Sequence, residues 1–564
     1  MSDPRERIRT VAMAEPTEVE YGEVFTRRWV VDALLDMVGY RVETDLAAST
    51  IIEPAVGSGA FLGPIVERLC RSARRHDVPF AELADAIRAY DLQGQHVEAC
   101  RALVVGTLRA HGAHDGEARW LANTWVHHGD FLLDDIDAEA DFVVGNPPYV
   151  RADDLDEATA TAYRARWSTM WGRSDIFVGF YERSLGLLKP GGRLGFICAD
   201  RWMRNSYGAR LRRLISDGYS VDAVWQMHDV DAFHAEVAAY PAITVISNRP
   251  QSVVALLETT GEFGAEAADA AVSFTLAESD RACGDGWTGV RLEDWFGGGD
   301  LWPSGSPGLI ALLEHLNENF PRLEDTGGTT KISIGVASGA DKVFIVDADE
   351  VDIEPDRLLP LVMADDIRTG VLSDHRRRCL INPWDGRGEL VDLQRYPRMA
   401  RLLAADPAVR KRFVARRRPT AWYRTIDRVY PGLAERPKLL LHDMKAQITP
   451  VFEPGGLYPH HNLYYIVSTG WDLEVLGGLL LSRVAEAFVD AYGVKMRGGT
   501  MRFQAQYLRK IRVPAPESID RPTAERLREA FRDRDRVAAT EAAARAYGLS
   551  ATMLDALGPR VRTA

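Results

Sequence analysis

Ser49-Thr50-Ile51-Ile52-Glu53-Pro54-Ala55-Val56-Gly57-Ser58-Gly59-Ala60-Phe61-Leu62 decides the fold class. Ser49 to Ile52 opens a short apolar strand, and 61–75 carries apolar residues at helical spacing. Between them, two glycines two apart let the backbone turn tightly and approach a ligand without a Cβ clash. The helix that follows presents its unpaired N–H groups to the same place. The rhythm then repeats. Residues 86–91 are a predicted strand, 95–109 a helix, 141–144 a strand, 176–188 a helix and 242–246 a strand, while 193–198 is a strand after the Lys189-Pro190-Gly191-Gly192 turn. Such alternation implies an α/β fold, a Rossmann-like sheet with helices on both faces.

The totals bound what surrounds that sheet. At 564 residues the chain exceeds one ordinary core, so several domains are expected. The βα rhythm fades after Pro250, residues 261–300 are rich in Gly, Ala and acids, and from about Lys331 short strands mix with helices. The expected division is 1–250, a bridge or insertion over 251–330, a mixed α+β domain over 331–515 and a helical tail over 516–564. No apolar run approaches the roughly 20 residues a bilayer demands, and the charged start has no signal-peptide core. The five cysteines are scattered without a CxxC pair, so neither a disulfide framework nor a zinc site is indicated and a cytoplasmic setting is expected. Net charge is -13, yet 410–445 holds eleven Lys/Arg against three acids, a footprint able to meet phosphates.

Three acids follow predicted strands. Glu53 and Pro54 precede the glycine turn, whose third glycine, expected in a pyrophosphate site, is missing; a cationic ligand without a phosphate fits better. Asp91 stands where an acid can accept two ribose hydroxyls, the bland alternative being a helix cap. Asp130, in His127-His128-Gly129-Asp130-Phe131, suits a hydrogen bond to an adenine amino group, with Phe131 packing on the ring. Adjacent histidines rarely turn both rings to one ion, and no metal is expected there or elsewhere in the chain.

The most specific stretch is Asp141-Phe142-Val143-Val144-Gly145-Asn146-Pro147-Pro148-Tyr149-Val150. Two prolines stiffen the turn and remove two donors, leaving carbonyls that only accept. An aryl amine is a poor nucleophile because its lone pair is delocalised. If Asn146 Oδ1 and the Pro147 carbonyl each accept one N–H, the lone pair localises and points at an electrophilic methyl, and positioning does the rest. Tyr149 would stack on a base drawn out of its duplex.

The order of these motifs resembles the gamma-class N6-adenine DNA methyltransferases, the TaqI-type modification enzymes of type II restriction-modification systems. Gly22-Glu23-Val24-Phe25-Thr26 resembles the family's first motif, with Arg27 where the family usually has Pro. Glu53 to Leu62 resembles its (D/E)PACGSGxFL loop, with Val56 for Cys. Ser174-Asp175-Ile176-Phe177, residues 188–197 and the segment from Asp231 through Phe233 to Ile246 resemble later motifs. Residues 334–344, 363–368 and 502–511 resemble pieces of its target-recognition region. The resemblance implies S-adenosylmethionine held by Thr26, Glu53, Ala55, Gly57, Gly59, Asp91, Asp130, Phe131 and Asn146. It implies catalysis by Asn146, Pro147 and Tyr149, with Phe233 on the flipped base. Double-stranded DNA is the implied partner, a restriction endonuclease the genetic one, and a monomer is expected. Arg416, Arg417 and Arg418, beside Trp422 and Tyr423, and Lys495 and Arg497 are candidate phosphate contacts.

Other classes fit less well. A cytosine ring-carbon methyltransferase needs a cysteine nucleophile, typically after proline, and no Pro-Cys pair exists. Protein-glutamine and RNA methyltransferases with Asn-Pro-Pro-Tyr are usually much shorter, and no nuclease cluster is evident for a fused restriction enzyme. An N4-cytosine methyltransferase and a non-catalytic DNA-binding subunit remain as alternatives.

Overall fold

The computed structural model describes residues 26–557, apart from 229, 234–239, 304, 325–326, 374–377, 446, 494–500 and 503–504. Two compact units divide the chain, Met1–Pro307 and Gly308–Ala564.

The first unit is built on one ten-stranded sheet. Its strands are β1 (Ile51–Glu53), β2 (Ile87–Asp91), β3 (Val126–His128), β4 (Ala140–Gly145), β5 (Leu188–Ala199), β6 (Ser220–Gln226), β7 (Pro241–Ser247), β8 (Val254–Thr259), β9 (Arg281–Gly284) and β10 (Trp287–Leu292). They lie in the order β3-β2-β1-β4-β5-β7-β6-β8-β10-β9. The first five are mutually parallel. Strand β7 is inserted antiparallel between β5 and β6, which leaves β6 pointing the same way as β5. Strands β1 and β7 are buried along their whole length, as continuous apolar strands are when helices cover both faces.

Those helices are α1 (Arg28–Val38), α2 (Leu62–Arg75), α3 (Gly94–Ala110), α4 (Asp115–Trp125), α5 (Glu157–Arg166), α6 (Phe177–Gly186), α7 (Ala209–Gly218) and α8 (Ala265–Leu276). Helix α1 sits directly on β5. A Cβ at Gly195 would come within 2.6 Å of Leu34 Cδ2 and Val38 Cγ1, so the approach requires glycine. That seating fixes the residues just before α1, Thr26 and Arg27, over the sheet.

The expectation of a bridge over 251–330 is corrected for its first part. Val254–Thr259 pairs parallel with β6, and β10 and β9 continue the sheet by antiparallel pairing. The Ala-rich composition that suggested a loop belongs to α8, which buries Ala268, Ala271, Val272 and Phe274.

The second unit opens with α9 (Pro307–Asn319) and holds β11 (Thr330–Ile334), β12 (Ile345–Asp347), β13 (Leu358–Val362), β14 (Arg378–Ile381), β15 (Lys438–His442), β16 (Met444–Lys445), β17 (Val451–Glu453), β18 (Tyr458–Pro459), β19 (Leu463–Ser468) and β20 (Met501–Arg502). Two four-stranded sheets, β11-β19-β15-β17 and β12-β14-β13-β18, flank a shared apolar core, and β16 pairs with β20. Its helices include α10 (Pro407–Lys411), α11 (Phe413–Arg417), α12 (Leu473–Leu481), α13 (Arg521–Arg532) and α14 (Arg536–Tyr547). The C-terminal stretch, expected as a separate tail, packs into this unit. Helix α13 lies so close to α12 that a Cβ at Gly478 would meet the Leu527 carbonyl at 2.3 Å. Arg528 and Arg532 pair with Asp472 and Glu474 across that contact.

Candidate active site

Every acid and amide singled out in the first unit leaves the sheet at one edge, the carboxyl ends of the parallel strands. Ligands of open α/β sheets sit there because helix N-termini and strand-end loops converge. Strand β1 delivers the glycine turn, β2 ends on Asp91, β3 leads to Asp130, β4 runs into Asn146, and β6 feeds the loop that reaches Phe233.

The glycine turn is shaped by left-handed backbone at Gly57 (φ 50°) and Gly59 (φ 85°). The two glycines differ in what they face. A Cβ at Gly59 would strike Leu103 Cδ2 of α3 at 2.7 Å, whereas one at Gly57 would meet nothing within 4 Å. Gly59 is thus held chiefly by its left-handed φ, with the exposed end of Leu103 against it, and Gly57 borders open space. Asp91 braces the turn: Oδ2 accepts from the Gly57 N–H at 2.8 Å, and Oδ1 accepts from the Gln93 N–H at 2.8 Å. A carboxylate has about four acceptor positions, so these bonds leave capacity for hydroxyl donors. Under the turn, Glu53 is 1% exposed, and its Oε2 is buried with no hydrogen-bond partner. Burial, and then the nearby charge of Asp91, push the Glu53 carboxyl well above the usual carboxylate range. A buried, partnerless carboxyl beside an open cradle suits a ligand bearing positive charge. Ala55 lies in the same turn, half-buried.

Asp130 and Phe131 are more enclosed. Asp130 accepts from the Tyr163 hydroxyl at 2.8 Å and from the Leu132 N–H at 2.8 Å, and burial raises its carboxyl. Phe131 is buried, stacked on Phe180 (centroids 5.4 Å apart) and tilted against Tyr90. The two histidines before them diverge. His127 stacks on Tyr90, and His128 Nε2 lies 3.0 Å from the Leu92 carbonyl.

Beyond β4, the Asn146 amide is oriented by its Nδ2, which donates to Thr26 Oγ1 at 3.2 Å. Its Oδ1 is buried on the other side of the amide. Thr26 bridges to Phe233 through the backbone, and the Arg27 N–H donates to the Ala232 carbonyl at 2.9 Å. The Arg27 guanidinium also grips Asp231 with two bonds, at 3.1 and 2.6 Å. Three segments far apart in sequence thus meet at one amide. Tyr149 presents a half-buried ring, edge-on to Phe177 at 6.4 Å, while its hydroxyl is buried without a partner. Pro147 is buried, and so is Phe233, 6% exposed and packed into the core.

One anchor was missed by the sequence reading. Asp175 accepts from Arg201 Nη2 and from the Tyr207 hydroxyl, each at 2.6 Å. Backbone bonds at 2.9 and 2.8 Å (Ala152 N–H to Ser174, Ile176 N–H to Val150) close the loop that follows Asn146-Pro147-Pro148-Tyr149. The sign of this anchor in the sequence is an acid just before α6, with Arg201 and Tyr207 downstream.

In the second unit, Arg416, Arg417 and Arg418 are exposed on and after α11. The eleven basic residues of 410–445 overstate the free charge. Arg412 is buried, donating to the Ser338 and Trp422 carbonyls and stacked over Phe344, and burial lowers its pKa to about 10. Lys438 is wholly buried in an ion pair with Glu453. Tyr423, beside the arginines in sequence, is buried too, and its hydroxyl donates to the Val391 carbonyl at 2.7 Å. The aromatic beside the arginines that does face solvent is Phe413, 63% exposed. Lys495 and Arg497 lie outside the described residues.

The sheet order and the site along its carboxyl edge define a Rossmann-like S-adenosylmethionine-dependent methyltransferase. Residues 111–233, which hold Asp130, Asn146, Tyr149 and Phe233, match the Eco57I restriction-modification methylase family. The type II methyltransferase M.PaeR7I of Pseudomonas aeruginosa is 44% identical over 95% of this chain and 93% of its own. M.XhoI of Xanthomonas vasicola is 41% identical over 94% and 98%. The type IIL restriction-modification enzyme MmeI shares the fold, with a TM-score of 0.53 and 12% identity over 94% of this chain and 75% of its own. The chain belongs to the type II DNA methyltransferases of restriction-modification systems, and its methyl donor is S-adenosylmethionine.

Proposed function

We propose that this enzyme methylates the exocyclic N6 of an adenine turned out of duplex DNA, in the manner of the gamma-class, TaqI-type modification enzymes. The observation that carries the reading is the Asn146 amide, pinned through Nδ2 to Thr26 with Oδ1 turned the other way, next to the half-open ring of Tyr149. Asn146 Oδ1 and the Pro147 carbonyl accept the two N–H bonds of the amine and localise its lone pair. Tyr149 stacks on the base and recovers part of the unstacking cost. Glu53 faces the positive end of the methyl donor, Gly57 leaves its backbone open to that donor, and Asp91 accepts from its ribose. Ala55 belongs to the same cradle, and Asp130 with Phe131 bounds its adenine side. The bound donor supplies an activated methyl on sulfur; the chain supplies position and fixed dipoles.

DNA is gripped in part by Arg416, Arg417 and Arg418. MmeI, the structural relative, has been solved in complex with DNA. The biological role is protection of host DNA from a partner restriction endonuclease, by a monomer acting in the cytoplasm.

Single-molecule sequencing of DNA from cells expressing the chain tests this reading. Methyladenine at one recurrent sequence is expected. Methylcytosine, or no modified base, overturns it. In single-turnover assays Asn146→Ala should lower the transfer rate by roughly 10²–10³-fold, as loss of one preorganised polar contact does.

A further inference from the structure

The second unit contains a cluster that neither the methyl-transfer site nor the basic surface uses. Asp341, His460 and His461 bring one ligand atom each to within 4.8 Å of one another. His460 Nε2 lies 3.1 Å from Asp341 Oδ2 and 2.9 Å from His461 Nδ1. We propose that these three side chains bind a divalent transition metal, best matched by zinc, which ties the segment after β11 to the turn before β19.

The spacing is that of ligands sharing an ion. Metal–nitrogen bonds of about 2.0–2.1 Å put neighbouring donors roughly 3 Å apart. Without a cation the arrangement is awkward: the single in-plane position on His460 Nε2 faces a carboxylate oxygen and an imidazole nitrogen together, so one proton would be shared between two acceptors. His460 is 2% exposed, so its ring is held in place by the surrounding turn. Adjacent histidines rarely share an ion, and the rings of His127 and His128 diverge, but here His461 Nδ1 lies 2.9 Å from His460 Nε2. Two imidazoles and a carboxylate are a ligand set for zinc and its first-row neighbours, with the remaining positions left to water. His461 reaches solvent, which gives the ion a way in.

The surroundings hold the ligands in place before any ion arrives. Ser338 Oγ donates to Asp341 Oδ1, leaving Oδ2 for the cluster; such outer contacts orient metal ligands. The His460 N–H donates to the Val362 carbonyl at 3.0 Å, and the His461 N–H donates to the Val336 carbonyl at 3.1 Å. Gly335 lies so close to this turn that a Cβ would meet the Pro459 and His460 carbonyls at 2.2 and 2.3 Å. A metal here closes a loop of 119 residues between Asp341 and His460, a long span for which such a clip counts most.

Full-length, tag-free protein purified without chelator should carry about one equivalent of zinc by elemental analysis. After stripping, cobalt(II) titration should give visible d–d bands saturating at one equivalent. Asp341→Asn and His461→Asn should each weaken cobalt binding by at least ~100-fold, since losing an outer contact of a ligand alone costs about 10–100-fold. His461 reaches solvent, so its variant keeps the test valid if Asp341→Asn misfolds. Zinc should raise the melting temperature of the stripped wild type and not that of either variant. Less than a tenth of an equivalent of metal with no cobalt bands at millimolar concentration, or unchanged cobalt affinity in both variants, overturns the proposal.

Discussion

Tyr149 and Glu53 carry the sharpest residue-scale expectations, because each has a buried polar atom with no partner. The Tyr149 hydroxyl contributes no hydrogen bond, so Tyr149→Phe should leave methylation within about threefold of wild type. Tyr149→Ala removes the stacking face, worth about 1–3 kcal/mol per base, and should lower kcat/KM by about 10–100-fold. Steady-state kinetics of the two variants distinguish a stacking ring from a hydroxyl with a chemical task. Glu53 has its folded pKa raised by burial and by Asp91. Between the ordinary carboxylate pKa and that raised value, the folded protein holds a proton that the unfolded chain has released. Its contribution is fully present below the unfolded pKa and is lost as pH rises through the folded one. Denaturant melts of the donor-free protein should therefore show stability declining with pH in that window, and Glu53→Gln should remove the decline. Binding a cation there lowers the pKa, so calorimetry in buffers of different ionisation enthalpy should show proton release on donor binding. No proton release would remove Glu53 from the donor site.

At the scale of elements, the short helix α11 and the turn after it concentrate exposed positive charge in the second unit. Each phosphate neutralised contributes about 0.9 to the slope of log K against log salt. Replacing Arg416, Arg417 and Arg418 together by alanine should flatten the slope by roughly 2–3 in fluorescence-anisotropy titrations. An unchanged slope would move the DNA path elsewhere. The same elements show what a sequence reading can and cannot reach. Strands β1, β2, β4, β5 and β7 and helices α2, α3 and α6 were legible within a few residues, since fully buried strands and one-sided helices leave strong periodic patterns. The turn from Glu53 to Gly59 was legible because only particular residues satisfy its backbone. Strands β8 to β10 were not, because each is short and their places are fixed by pairing, β8 on β6, β10 on β8 and the exposed edge strand β9 on β10. Arg412, Lys438 and Tyr423 misled for a related reason. Their side chains are polar in sequence, and their burial is decided by partners as distant as Ser338 and Val391. The meeting of Thr26, Asn146 and Phe233 depends on α1, β4 and the loop after β6 coming together, and the Asp341–His460–His461 cluster on the folding of two separate turns.

On the scale of the whole molecule, the division at Pro307 means that a ligand of the first unit stabilises only part of the chain directly. A donor analogue at about 100 times its Kd adds about 2.7 kcal/mol to whatever folds with its site. Differential scanning calorimetry should show one transition moving up while another stays. A single transition that shifts as a whole would show that the two units unfold cooperatively. The exposed arginines after α11 also bear on how the enzyme finds DNA. The chain as a whole carries -13, so at about 0.01 M salt, where screening reaches ~30 Å, an approaching duplex senses the net repulsion. Near 0.15 M, with screening at about 8 Å, it senses chiefly the arginine patch. Association measured by stopped flow should therefore be fastest at an intermediate ionic strength, so that the enzyme's search speed is tuned by the salt around it.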